Sequence, residues 1–238
     1  DITKSTPINQ ENGYSAMYEC MLTPVMPYGI KGIIWYQGES NVHNFQDYTN
    51  LLTGMIEDWR SAWNAQLPFY FAQIAPFPYD KSLNAESLRD AQRKLLNKVE
   101  HTGMAVLTDI GEEFDIHPRN KKDVGERLSL HALKNEYGFD LIANGPLYKD
   151  HVRYSKYIEV SFDHTAEGLR SVGDLIGFEV AGSDEVFYPA KATIIKDKIR
   201  VFSKEVSEPL HVRYGWKNWF VGNLFKREGL PASSFSSL

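Results

Sequence analysis

The sequence is poor in cysteine, with Cys20 as its one example among 238 residues. A single cysteine cannot form a disulfide within the chain, so no internal crosslink supports the fold and the redox compartment stays open. Long apolar runs are lacking as well. No run approaches the roughly 18 residues that a helix needs to cross a bilayer, so the sequence predicts no membrane-spanning helix.

Positive charge is also scarce. Lys and Arg total 26 against 31 Asp and Glu, which gives a formal net charge of −5. This balance disfavours long-range attraction to nucleic acid or to an anionic membrane, and we expect neither as a partner. The chain begins at Asp1 rather than at Met, and no signal-peptide pattern follows. We therefore expect these residues to be part of a longer protein.

The first part of the chain, residues 1–146, alternates between two hydrophobic periods. Short apolar runs indicate buried strands, and segments with helical spacing lie between and after them. The predicted strands are 33–36, 69–75 and 104–109, and the predicted helices are 45–63, 88–99 and 124–138. This alternation predicts an α/β domain whose parallel sheet is covered on both faces.

The pattern changes after Pro146. Apolar residues then alternate with polar ones at period 2, which is typical of antiparallel strands with one solvated face. The alternating segments are 158–162, 176–180, 193–202 with a hairpin turn near 196–198, and 210–216. We therefore predict two domains, an α/β domain over 1–146 and a small accessory antiparallel β domain over 147–238.

Two polar clusters follow predicted strands. The segment from Gln37 to Asn41 follows the first strand, and the segment from Asp109 to His117 follows the third. In open parallel sheets, ligands bind outside the carboxyl ends of the strands. We therefore expect both clusters to lie at one rim of the sheet.

The residue types in these clusters suit general-base catalysis. The Asp115 carboxylate can accept the Nδ1–H of His117, which leaves the other ring nitrogen free to act as a base. Gln37 carries amide donors for a developing oxyanion, and Gly38 permits close backbone approach. Glu39 can give the histidine a second carboxylate.

Ordinary structural roles remain open for the same residues. An Asp-x-His sequence is common in polar loops, and a Gln-Gly pair after a strand often forms a turn. Glu39 or Asn41 can cap the helix that follows, and Asp115 or His117 can cap the next one. The histidines show neither H-x-x-x-H nor Cys-His spacing, so no metal site and no cofactor are predicted.

Three blocks resemble one family. "GIIWYQGESN" resembles the W-x-Q-G-E-S/A-N block of the sialate O-acetylesterase family, within the SGNH hydrolase superfamily. "DIHPRNKKDVGERL" resembles its D-I-H-P-x-N-K-x-x-V-G-x-R-L block, and "YGWKNWFVGNLFKREGLPASSF" resembles its C-terminal block. The three blocks occur in the family's order and span nearly the whole chain.

The resemblance implies a flavodoxin-like SGNH α/β/α sandwich with accessory β structure. It also implies a serine esterase that removes O-acetyl groups from sugars without a metal or cofactor. His117 would be the general base, Asp115 would orient it, and Glu39 would support it. The implied oxyanion- and substrate-binding residues are Gln37, Gly38, Asn41 and Arg89. Arg89 lies in a family-like L-R-x-A-Q stretch, where it can reach the cleft or anchor a loop.

One departure concerns the nucleophile. The family's serine lies in a G-Q-S-N-type block before the first block, and no such block occurs here. Ser5 and Ser15 lack its glycine and its strand context. Ser40 stays open as an alternative, although the resemblance gives it no nucleophilic role. We expect the serine, and the first strand of the sheet, on a segment that precedes Asp1, so the sandwich would be incomplete here.

We therefore expect the carboxy-terminal portion of a carbohydrate O-acetylesterase that acts first on sialate and second on acetylated xylan. A non-catalytic sugar-binding or interaction module is the rival interpretation. The expected partners are an O-acetylated sugar and the missing N-terminal segment. Sugar esterases of this kind often act outside the cytoplasm, which makes a periplasmic or secreted location the expectation.

Overall fold

The computed structural model describes residues 15–165 and 167–238, so Ser5 lies outside the described residues. Within these ranges the chain forms three α-helices, thirteen strands and a few short helical turns. The helices are α1 (Phe45–Ala62), α2 (Ala85–Leu95) and α3 (Lys121–Tyr137). The strands are β1 (Ile33–Trp35), β2 (Phe69–Ala72), β3 (Thr102–Ala105), β4 (Leu147–Arg153), β5 (Ile158–Asp163), β6 (Leu169–Ser171), β7 (Phe178–Ala181), β8 (Phe187–Pro189), β9 (Lys191–Ile195), β10 (Lys198–Phe202), β11 (His211–Tyr214), β12 (Leu224–Lys226) and β13 (Phe235–Ser236).

Strands β1, β2 and β3 form a parallel sheet in that order. Pairing ends earlier than predicted, at Ala72 in β2 and at Ala105 in β3. The backbone N–H of Gln73 still donates to the Ala105 carbonyl at 2.9 Å. Beyond this bond the two segments diverge into loops. The predicted strands were therefore too long because their last apolar residues line buried loops rather than a ladder.

Helices cover both faces of this sheet. Phe69 and Phe71 of β2 share a hydrophobic cluster with α1 and α2, whereas Tyr70 and Ala72 share another with α3. This division follows from the alternation of side chains along a strand. Helix α3 ends at Tyr137, and Gly138, with a positive φ of 71°, forms its left-handed C-cap.

The region after Pro146 is antiparallel throughout its described sheets, which have the strand orders β4-β5-β10-β9, β13-β11-β7-β8 and β12-β6. The predicted hairpin joins β9 to β10, and Lys196 in its turn has a φ of 60°. Alternating apolar residues fill one core, among them Ile158, Val180, Val201 and Val212. Strands β4, β6, β8, β12 and β13 had no clear alternating signal and were not predicted.

The mixed α/β architecture is confirmed. Its identity as an SGNH sandwich with an incomplete N-terminus and the domain boundary at 146/147 stay predictions. Among the described residues, no helix combines the length and apolar character that crossing a bilayer requires.

Candidate active site

The loop after β1 depends on a glycine. Gly38 is buried, with φ 152° and ψ −21°. A Cβ at this position would lie 2.7 Å from Cγ2 of Ile74 and 3.2 Å from Nε2 of Gln92. Residues other than glycine rarely adopt this φ, so both the backbone conformation and the packing require glycine here.

A hydrogen-bond network holds Gln37 beside Gly38. The Tyr48 hydroxyl donates to the Gln37 carbonyl at 3.0 Å, and Nε2 of Gln92 lies 3.4 Å from the same oxygen. Nε2 of Gln37 donates to Oδ1 of Asn41 at 2.6 Å, and Nδ2 of Asn41 donates to Oδ1 of Asn44 at 3.1 Å. An amide nitrogen carries two hydrogens, so one Gln37 N–H is left for another acceptor.

Glu39 lies in the short helical turn Glu39–Asn41 and is partly buried. Burial, with a smaller contribution from the Glu39 carboxylate, raises the pKa of Tyr36 to about 12 and also raises the pKa of Tyr79. The hydroxyl of Tyr79 is buried and has no hydrogen-bond partner in the described structure. Helix α1 has no side-chain N-cap bond, so capping by Glu39 or Asn41 is wrong.

The second loop holds Asp115 and His117 near each other. Nδ1 of His117 lies 3.8 Å from Oδ1 of Asp115, and the same oxygen accepts the His117 backbone N–H at 2.8 Å. The His117 side chain is 85% exposed, so its ring is open to a reactant. Asn120 caps α3 by accepting the backbone N–H of Asp123, and the capping alternative for the Asp-x-His sequence is therefore wrong.

Ion pairs stabilise this loop at both ends. Arg127 of α3 forms a bidentate pair with Asp109, with both N–O distances at 2.7 Å, and also donates to the Val106 carbonyl. Arg119 pairs with Glu112 across the loop. The partly buried Arg127 pair fixes the start of the loop after β3 against α3, so it sets where the Asp-x-His segment lies.

Both loops follow carboxyl ends of the same parallel sheet, one after β1 and one after β3. Nζ of Lys121, at the start of α3, lies 5.0 Å from the ring centroid of Tyr36 and so connects the two regions. Within residues 15–165 and 167–238, no hydrogen bond or ion pair joins Gln37 or Glu39 to His117. The predicted meeting of these side chains, and their catalytic roles, stay predictions.

Arg89 lies inside the protein, with its residue fully buried. Its guanidinium donates to Oγ of Ser234 at 3.2 Å, to the Gly215 carbonyl at 3.2 Å and to the Lys217 carbonyl. Burial lowers its pKa to about 10, and Nη1 has no partner among the described residues. These contacts support the anchoring role, and a contact with substrate stays a prediction.

Asn218 was not predicted as a functional or structural residue, yet it joins the C-terminal region to the loop before α2. Its Oδ1 accepts the Ala85 backbone N–H at 2.8 Å, and its Nδ2 donates to the carbonyls of Leu83 at 2.9 Å and Asp80 at 3.3 Å. Gln92 was also missed, although it lies in the L-R-x-A-Q stretch that drew attention to Arg89. Tyr48 has the spacing of an apolar residue of α1, so its hydrogen bond to the Gln37 carbonyl was missed as well.

Comparisons with known proteins agree on one family. The family model described as "Carbohydrate esterase, sialic acid-specific acetylesterase" matches residues 5–134. Sialate O-acetylesterase of Mus musculus is 25% identical over 244 residues, covering 92% of this chain and 45% of the relative. The Homo sapiens protein is 30% identical over 155 residues, covering 56% of this chain and 30% of the relative.

A solved structure gives the same picture. A carbohydrate acetylesterase from Xanthomonas citri superposes with a TM-score of 0.89 at 38% identity, covering 93% of this chain and 54% of that one. The chain thus spans about half the length of the mouse relative and of the solved structure.

Proposed function

This chain belongs to the carbohydrate esterase family of sialic acid-specific acetylesterases, and from that premise we propose that it supplies the base side of a sugar O-acetylesterase. The observation that carries the proposal is the Asp115–His117 pair, with Nδ1 3.8 Å from Oδ1, in an exposed loop at the carboxyl end of a parallel sheet. The loop of Gln37 and Glu39 follows a strand end of the same sheet.

The proposed reaction uses a serine on a segment that precedes this chain. Its oxygen attacks the acetyl carbonyl while His117 accepts the hydroxyl proton, and the protonated histidine then gives that proton to the departing sugar oxygen. Water hydrolyses the acetyl-serine in the second half of the cycle, with His117 again as the base. Asp115 holds the ring and stabilises its protonated form, and Glu39 supports the same histidine.

Gln37 has the chemistry for the oxyanion in this scheme. One of the two hydrogens of its side-chain amide is donated to Asn41, and its backbone carbonyl accepts a hydrogen bond from the Tyr48 hydroxyl. A donor that is already held in place needs little reorganisation when negative charge develops on the substrate oxygen, so little free energy is lost. We therefore place the remaining N–H of Gln37 toward the carbonyl oxygen of the acetyl group.

Sialate is the first proposed substrate, supported by the family description and by the relatives' names. Acetylated xylan is the second. The test measures acetate release by the full-length protein from mono-O-acetylated N-acetylneuraminate and from acetylated xylan. We expect kcat/KM to favour the sialate by about tenfold or more.

The other outcomes separate the rivals. A preference for xylan would contradict the sialate assignment and retain the esterase. Binding of both sugars without acetate release from either would contradict the esterase itself and favour the non-catalytic module.

A further inference from the structure

A cavity of about 420 Å³ lies at the other end of the sheet from the candidate active site. Thr102 and Gly103, at the start of β3, border it. The remaining walls come from the ends of α2 and α3 and from β4 and β5, so the cavity lies where the β region meets the free edge of β3. Its volume is within the range of about 300–1,000 Å³ that is usual for small-molecule sites.

The lining is rich in groups that both donate and accept hydrogen bonds. Three amide side chains, those of Asn97, Asn135 and Asn144, face the cavity, and Thr102 adds a hydroxyl. A sugar hydroxyl also donates and accepts, so amide side chains match it well.

His131 forms part of the wall and is 1% exposed. Its ring stacks on Tyr70 with the centroids 5.6 Å apart, and its Nε2 has no hydrogen-bond partner in the described structure. Burial lowers the pKa of His131 to about 4, so the ring is neutral near pH 7. Because Nε2 is itself buried, the ring contributes a neutral, stacked wall to the cavity rather than an exposed hydrogen-bonding group.

The cavity's cations are already paired. Arg93 binds Asp90 with an N–O distance of 2.7 Å, and Lys149 binds Asp163 at 3.1 Å. An anionic ligand would have to compete with these carboxylates. The part of the chain that the structure describes holds no group of three metal-ligating side chains. These features favour an uncharged ligand over a phosphate, a carboxylate or a metal ion.

We propose that this cavity is a second carbohydrate site, which binds an uncharged sugar residue apart from the ester-hydrolysing site. The three amides hold its hydroxyls, and the neutral His131 ring packs beside them as part of the wall. Tyr148 offers little stacking surface, because Phe235 stacks on its ring at 4.3 Å and Arg93 lies 5.6 Å from the ring centroid. Without an open aromatic platform, we expect a weak dissociation constant, on the order of 1 mM.

The test is an NMR titration of the full-length protein with methyl β-D-galactopyranoside, an uncharged monosaccharide, with the imidazole nitrogens of His131 observed directly. We expect saturable shifts of these ring nitrogens, because the ring forms part of the cavity wall. The double variant Asn135→Ala/Asn144→Ala should weaken binding by about tenfold or more, because it removes two side-chain amides and leaves the peptide backbone at both positions intact. Asn50→Ala, an exposed change on α1, serves as the matched control and should bind like the wild type.

Three results would overturn the second site. These are the absence of saturable shifts, full affinity in the double variant, or shifts confined to the loops of Gln37 and His117. Acetate release from a small ester, measured on the same samples, should be unchanged in the double variant. Loss of the esterase function alone would therefore be visible separately from loss of sugar binding.

Discussion

At the scale of single residues, Gly38 is the position where backbone and packing requirements coincide. We predict that Gly38→Ala destabilises the protein by about 1–3 kcal/mol, because the new methyl group meets Ile74 and the backbone must leave its φ of 152°. The shift would move Gln37 and so lower kcat. Urea unfolding and hydrolysis of p-nitrophenyl acetate by the full-length protein measure the two effects.

Gly54→Ala is the matched control for this change. Gly54 lies within α1, and a Cβ there meets no atom within 4 Å. Alanine is the better helix former, so this variant should gain about 0.5–1 kcal/mol. If Gly38→Ala matched the wild type in both stability and kcat, the loop would not need its glycine.

The residues of the candidate site differ in how far the sequence could reveal them. Gln37, Asp115 and His117 were predicted as site residues because chemically active types follow apolar strands in recognisable blocks. Tyr48 and Gln92 were not, because their hydrogen bonds to the Gln37 carbonyl exist only once α1 and α2 pack together. A supporting residue is defined by tertiary contacts, for which a single sequence carries little signal.

At the scale of elements, the N-terminus of α2 depends on the C-terminal region. Asn218→Ala removes the acceptor of the Ala85 N–H and two donors to the preceding loop. We predict a loss of about 1–2 kcal/mol in the free energy of unfolding, measured in urea. Asn50→Ala should change it by less than about 0.5 kcal/mol. Equal stability of the two variants would contradict this capping role.

The elements themselves were predicted unevenly. Helix α1 has clear apolar periodicity, and the end of α3 is marked by Gly138, so the extents of both helices were close to the predicted ones. The strands β4 and β13 were missed for different reasons. Strand β4 is largely polar. Strand β13 has two residues, which pair with β11, a strand that is distant in the sequence. The prediction of an SGNH fold came from the resemblance and not from periodicity.

At the scale of the whole molecule, the two predicted domains share buried polar contacts. Nε2 of Gln73 donates to Oγ of Ser233 at 2.8 Å, and Oγ1 of Thr108 donates to the Ala232 carbonyl at 3.0 Å. Arg89 is buried by the same C-terminal segment. These contacts fix the C-terminal region against the strand ends of the parallel sheet, so the β region helps to shape the rim where the candidate site lies.

The isolated 238-residue chain should release essentially no acetate, because the proposed nucleophile is on another segment and no acyl-enzyme can form without it. Within the described residues β1 pairs with β2 alone, and Ile34 on this edge strand is 68% exposed. An open strand edge favours pairing with another strand. Activity should therefore appear when the upstream polypeptide is added. Strong activity of the chain alone that is lost in Ser40→Ala would show that Ser40 is the nucleophile.

In the proposed reaction, His117 is the base of a sugar acetylesterase. The most direct test compares His117→Ala with wild type in the full-length protein, measuring acetate release from an O-acetylated sugar and checking the fold by circular dichroism. His101→Asn, at an exposed histidine with a φ of 53°, is the control because asparagine tolerates that conformation. We predict a fall in kcat of about 10⁴-fold or more in folded His117→Ala, and none in the control. A folded His117→Ala protein that releases acetate at a near wild-type rate would contradict the claim.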